Sequence, residues 1–284
     1  GYESQTANVG KITNKGIELE ISGKVINTKD FNLDATANIA SNRTRVTKLD
    51  PTVSMYQFSS LENGLQVVAI QGDKLGEIYD YGYKRDTKGN KIIGSDGLPE
   101  KTDSQEVLGC IQPDFTGSFG LNANYKGIFL SALFTFQKGG DIYSFTEASA
   151  ANVGVAKCTV DRSDRVVKGV LENGSTNTTS ISAQKYWQNG VTSEQFIYDA
   201  SYLKLGELTV GYDFPKAELR QLTHNIFNSF KVSLFGSNLL YLVKHTPGTT
   251  PDGSAMSSNI FSQAVDFSPV PNTRTFGVSL NLGF

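Results

Sequence analysis

The segment Thr275-Phe276-Gly277-Val278-Ser279-Leu280-Asn281-Leu282-Gly283-Phe284 alternates without a break: every second residue, from Phe276 to Phe284, is apolar, and those between are polar or small. Side chains of an extended chain point to opposite faces at each step, so this stretch predicts a strand with one apolar and one polar face, closed by an aromatic residue. The same period recurs upstream. Over 16–26, Ile17, Leu19, Ile21 and Val25 oppose Glu18, Glu20, Ser22 and Lys24. Over 31–41, Phe31, Leu33, Ala35, Ala37 and Ile39 oppose Asn32, Asp34, Thr36 and Asn38. Over 114–125, Phe115, Phe119, Leu121 and Tyr125 oppose Thr116, Ser118, Asn122 and Asn124. In the next strand Ile128, Leu130, Ala132, Phe134 and Phe136 line one face, while Ser131, Thr135 and Gln137 share the other with Phe129 and Leu133. Over 202–214, Leu208, Val210, Tyr212 and Phe214 oppose Glu207, Thr209, Gly211 and Asp213, until Pro215 stops the strand. A further strand is expected over 230–238.

Seven strands of roughly nine to twelve residues suit a tilted crossing of a bilayer and are long for soluble sheets. The composition agrees, with 17 Phe, 12 Tyr and 28 Gly against 2 Met, a balance that favours strands and turns over helices. The connections alternate in length. Residues 27–30, 126–127 and 216–228 make short turns on one side, and about 42–113, 138–201 and 240–272 make long loops on the other. Outer-membrane barrels have this asymmetry, with short periplasmic turns and long extracellular loops, so a periplasmic carboxy terminus is expected. The alternative is a soluble, secreted or surface-exposed β-sandwich that binds or adheres. That fold would also alternate, but its apolar face would pack on a second sheet.

Other classes are poorly served. The net charge is −2 and the Lys and Arg residues are scattered, which excludes a basic face for nucleic acid. No apolar run approaches the 18 or so residues of a helical span. Gly1-Tyr2-Glu3-Ser4-Gln5 has neither the basic nor the apolar region of an export signal, so a mature or truncated piece is expected. An odd strand count points the same way, because barrels generally use an even number. Two histidines, His224 and His245, fall on opposite sides of the expected sheet, and no nucleophile, base and orienting group stand together. No catalytic residue, cofactor or metal site is read. Asp86-Thr87-Lys88-Gly89-Asn90 and Ser95-Asp96-Gly97 lack the spacing of a calcium loop and read as hairpin turns. Cys110 and Cys158 both lie in long loops, where an oxidising compartment allows either a loop-to-loop disulfide or two separate thiols. Tyr186 and Trp187 are the candidates for substrate contact, by stacking on a sugar or peptide, against packing within their own loop.

Several stretches carry a family resemblance. Residues 196–215, Phe-Ile-Tyr-Asp-Ala-Ser-Tyr-Leu-Lys-Leu-Gly-Glu-Leu-Thr-Val-Gly-Tyr-Asp-Phe-Pro, resemble the "DaSYlrLkeltlgY.fP" stretch of the SusC/RagA family. Asn14-Lys15-Gly16-Ile17-Glu18-Leu19 resembles its "NkGiEl", and Gly169-Val170-Leu171-Glu172-Asn173-Gly174-Ser175-Thr176-Asn177 its "GV..dG..N" loop. Ser237-Asn238-Leu239-Leu240, Pro251-Asp252 and Pro271-Asn272-Thr273-Arg274-Thr275-Phe276-Gly277 resemble its closing series in the same order. The resemblance covers nearly the whole chain. It implies the C-terminal portion of a plugged, 22-stranded outer-membrane barrel that imports nutrients, with the plug domain outside residues 1–284. It further implies a SusD-like surface lipoprotein as partner, an oligosaccharide or peptide substrate, outer-membrane lipid around the wall, and coupling to TonB–ExbB–ExbD through an amino-terminal part.

Overall fold

Alternation that persists over this length leaves each strand with an apolar and a polar face to keep in line with its neighbours, and the chain does so by pairing strands in sequence order. The computed structural model describes residues 10–61, 63–224, 226–252 and 264–284. Its main sheet has seven strands: β1 (Gly10–Asn27), β2 (Phe31–Leu49), β3 (Pro113–Tyr125), β4 (Ile128–Gly139), β5 (Tyr202–Asp213), β6 (Ser229–Lys244) and β7 (Thr275–Gly283). Each pairs antiparallel with the one before it, so spatial order equals chain order. These are the seven strands expected from the sequence.

The register makes the two faces continuous. One row runs Ala123, Leu130, Val210, Leu234 and Val278; the row beside it runs Asn122, Ser131, Thr209, Phe235 and Gly277. Residues directly opposite share a face, so apolar meets apolar from β3 to β7. Two aromatic rings on the polar face have a local reason. A Cβ added at Gly211 or Gly277 would strike the ring of Phe129 or Phe235, so each ring lies over a neighbouring glycine and covers its backbone.

The short connections are tight. Lys126 and Gly127 both have positive φ, 49° and 89°, the backbone of the two-residue hairpin whose twist matches its strands. Thr28 closes the first turn, its N–H donating to the Phe31 carbonyl at 2.9 Å. A short helix, Lys216–Leu222, fills the third.

Three strands outrun their expected lengths. β1 and β2 pair out to Gly10 and Leu49, although Lys11, Lys15, Arg43, Arg45 and Lys48 break the apolar alternation there. Backbone pairing needs no apolar face, so the polarity pattern ends before the ladder does. β6 continues to Lys244 past Asn238, whose φ of 55° stands beside a register shift opposite Gly206. That irregularity hid the second half of the strand.

The largest part of the buried core lies outside the main sheet. The long loops contain a four-stranded sheet (Met55–Ser60, Gln66–Ile70, Leu75–Asp80, Glu106–Cys110), a three-stranded one (Ile197–Asp199, Asp141–Ser144, Val265–Asp266), and helices α1 (Phe145–Asn152) and α2 (Ala183–Asn189). Both expected turns are present: Gly89 N–H donates to Asp86 O at 3.0 Å and Gly97 N–H to Gly94 O at 2.9 Å. Leu65, Val67, Ile78, Tyr143, Trp187, Phe196 and Val265 form the largest core cluster, drawn from all three loops.

Candidate functional site

Two surfaces have chemistry to explain: the apolar face of the sheet and the fused loop body. On the first, Ile17 is 77% exposed, Ile21 61%, Leu234 62%, Val278 65% and Leu280 65%. Adding Leu19, Ile39, Leu121, Leu130 and Val210 makes ten large apolar residues on one face, all exposed. Leaving such a band in water forgoes about 1.5–3 kcal/mol per residue at full exposure. Half of that for ten residues is of order 10 kcal/mol, which rivals the whole stability of a domain. An apolar solvent on that face removes the cost. No helix is long and apolar enough to cross a membrane, which says nothing about crossing by strands.

The loop body is pinned by polar contacts between distant segments. Arg85 holds Glu194 in a fork, Nη2 to Oε1 at 2.5 Å and Nη1 to Oε2 at 3.1 Å, and the Tyr83 N–H donates to the same carboxylate at 2.8 Å. The Arg85 contacts hold the Glu194 carboxyl below its usual value against the opposing effect of burial. Asn63 Nδ2 donates to the Tyr143 hydroxyl at 2.9 Å. Asp266, fully buried, accepts from Ser144 Oγ at 2.6 Å and Thr146 Oγ1 at 2.9 Å. The third loop also reaches the wall: Lys204, buried on the polar face of β5, meets Asp252 at 2.7 Å, and Tyr241 donates to the same carboxylate.

The residues singled out in the sequence fall as follows. Trp187 is buried in the core of the loop body, and Tyr186 stands edge-on to it with ring centroids 5.0 Å apart. The Trp187 indole N–H has no hydrogen-bond partner among the described residues. Its ring borders two clefts of about 420 and 240 Å³, which also share Asn152 and Gln188. Cys110 and Cys158 are not joined: both are free thiols. Cys110 sits in a paired strand opposite Glu77, while the Cys158 thiol faces Glu147 Oε1 at 3.7 Å, so each is held by separate contacts. Burial pushes the Cys110 thiol up to about 11; burial and the Glu147 carboxylate raise Cys158 as well. On the folded protein at pH 8, iodoacetamide should modify exposed Cys158 and spare Cys110 until denaturant is added. A peptide map showing Cys110 labelled first would contradict this placement. His224 lies in the connection between β5 and β6 and His245 just beyond the far end of β6, so they share no site. Among the described residues, no group of three or more His, Cys, Asp or Glu is arranged to hold a metal.

One buried carboxyl escaped the sequence reading, because nothing in its local pattern marks burial by loops distant in the chain. Glu77 is 7% exposed; burial, and then repulsion from Asp73, raise it from 4.5 to about 7. A carboxyl raised in the folded state contributes its full stability below about pH 4.5 and loses it as pH rises through about 7. The loop body should therefore weaken between pH 4.5 and 8, by about 1–2 kcal/mol after solvent screening. Denaturant titrations at the two pH values should show this for the native chain and a flatter response for Glu77→Gln.

No protein-family model matches the chain. TonB-dependent receptor P3 of Formosa agariphila is 27% identical over 311 residues, covering 100% of this chain and 30% of the relative. TonB-dependent receptor SusC of Bacteroides thetaiotaomicron is 24% identical over 305 residues, covering 98% of the chain and 27% of the relative. The chain is a relative of the TonB-dependent receptors. A solved structure of the RagAB peptide transporter superposes with a TM-score of 0.71 at 22% identity, over 100% of this chain and 30% of that one. The likeness to that structure gives the fold: the seven-stranded sheet is a stretch of antiparallel β-barrel wall. The chain thus spans about 30% of the length of the receptors it matches. The soluble sandwich expected as the alternative is not this fold, since the apolar face is left open.

Proposed function

We propose that this chain is the C-terminal wall of an outer-membrane nutrient importer of the SusC/RagA type. Its long loops (about 42–113, 138–201 and 240–272) are extracellular and its carboxy terminus is periplasmic. The apolar band in register across the sheet carries this reading, supported by relatives whose names place them among TonB-dependent receptors. In the full protein the polar face lines a lumen, a plug from elsewhere in the longer chain fills it, and TonB–ExbB–ExbD drives opening. The fused loop body forms a rigid outer rim, suited to seating a SusD-like lipoprotein and passing oligosaccharides or peptides. Trp187, whose N–H has no partner among the described residues and stands beside two clefts, and Tyr186 are the proposed substrate contacts on that rim. The chain itself is not an enzyme in this reading; its work is enclosure and passage. The test compares cells expressing the full-length protein, the same protein lacking the segment 138–201, and a strain without TonB. Labelled oligosaccharide or peptide uptake should require both the loop and TonB, and the lipoprotein should co-purify only with the intact form. Uptake unchanged without TonB would overturn the proposal.

A further inference from the structure

The ladder of β1 and β2 runs past the apolar band toward the long loops, and its character changes there. Lys15 pairs with Arg43, Thr13 with Arg45 and Lys11 with Lys48. Alternation places Lys11, Thr13, Lys15, Arg43 and Arg45 on the same face as Ile17, Leu19 and Ile21, directly beyond the exposed apolar residues, and a register shift between Lys11 and Ile12 brings Lys48 opposite Lys11. The opposite face is occupied: Val46, 1% exposed, packs with Leu49 of the same strand and with Ala69, Phe58 and Leu75 of the loop body. The cations therefore cannot turn inward, and Lys11, Lys15, Arg43, Arg45 and Lys48 are all exposed. Among the described residues none of the five has an ion-pair partner; Arg45 Nη1 only donates to the Gly72 carbonyl, at 3.2 Å. The acids next along β1, Glu18 and Glu20, lie on the other face. Arg43, Arg45 and Lys74 line a concavity of about 250 Å³ in which Asp114 is the carboxylate.

Unpaired cations at the lipid-facing rim of an apolar band meet the headgroup layer of the membrane, where the available anions are phosphates. Guanidinium groups bind phosphate with two parallel hydrogen bonds, and each nearby cation strengthens attraction to an anionic surface. We propose that this end of the β1–β2 ladder docks on the phosphate groups of outer-leaflet glycolipid, fixing the wall's height and tilt in the membrane. The leaflet follows from the orientation proposed above; the charge pattern does not depend on it.

The test uses the full-length protein in detergent micelles doped with diphosphorylated lipid A or with the same lipid after phosphatase treatment, read by native mass spectrometry. The combined Lys15→Gln, Arg43→Gln and Arg45→Gln variant should lose affinity for the phosphorylated lipid by about fivefold per cation, on the order of a hundredfold in all. Raised salt should weaken the native complex. Lys29→Gln with Lys126→Gln, at the opposite rim, should bind as the native protein does. Equal retention of phosphorylated and dephosphorylated lipid, or full competition by inorganic phosphate, would overturn the assignment. An impermeant maleimide should label Lys48→Cys on intact cells. Its failure with charge-dependent binding intact would refute the outer leaflet and the orientation beneath it, leaving the phosphate chemistry standing.

Discussion

An arginine at Val210 is expected to destabilise the membrane-inserted protein by about 2–4 kcal/mol, while one at Thr209 costs much less. The two are neighbours in sequence and opposites in environment. Val210 sits between Leu130 and Leu234 in the apolar row and is 42% exposed; Thr209 sits between Ser131 and Phe235 in the polar row. A guanidinium at Val210 enters hydrocarbon with no partner in reach, because the residues beside it are aliphatic. At Thr209 the polar face offers hydroxyl neighbours and, in the full barrel, water. Reversible folding of the full-length variants into phospholipid vesicles, followed by denaturant titration, measures both costs. Equal costs would mean the faces are reversed or that the sheet is not in lipid.

The facing of Val210 and Thr209 is readable from sequence because the period of two is imposed by backbone geometry and is kept over a whole strand, with Val210 in the apolar row and Thr209 in the polar one. The same logic fails where that alternation stops. Beyond Ile17 the ladder continues with lysines and arginines, so composition marked a loop where the backbone still pairs. Gly206 and Asn238 disturb the register at one level, and a pattern counted in steps of two cannot cross such a point. The loop body was less legible still. Its core joins Leu65 and Ile78 of the first loop to Trp187 and Phe196 of the second and Val265 of the third, contacts set by tertiary closure and not by local periodicity. Glu77 follows from the same cause, since a carboxyl between Gly76 and Ile78 looks like any strand-edge acid until other loops cover it. The cysteines could be placed in loops from sequence but not paired or separated.

Replacing Trp187 with alanine is expected to cost the loop body about 3–5 kcal/mol, the usual range for emptying a buried aromatic site. Its ring packs in the cluster that includes Leu65, Val67, Tyr143 and Phe196, and Tyr186 rests edge-on against it. Residues from three loops meet there, so the cavity cannot close by moving one of them. The wall itself draws on none of these contacts, and the seven-stranded sheet should persist while the rim loosens. Limited proteolysis of the full-length protein should then cut within 138–201 at low denaturant, with the heat-modifiable barrel band unchanged. Trp187→Phe separates packing from recognition: it keeps a buried six-membered ring and removes the five-membered part of the indole with its N–H, which has no partner among the described residues. That variant should fold with a cost near 1 kcal/mol, and any larger loss in its ligand binding would then come from the missing donor and the missing part of the indole face. If Trp187→Ala leaves the rim as resistant to protease as the native protein, the loop core does not depend on this ring, and its role as a substrate contact loses its structural support as well.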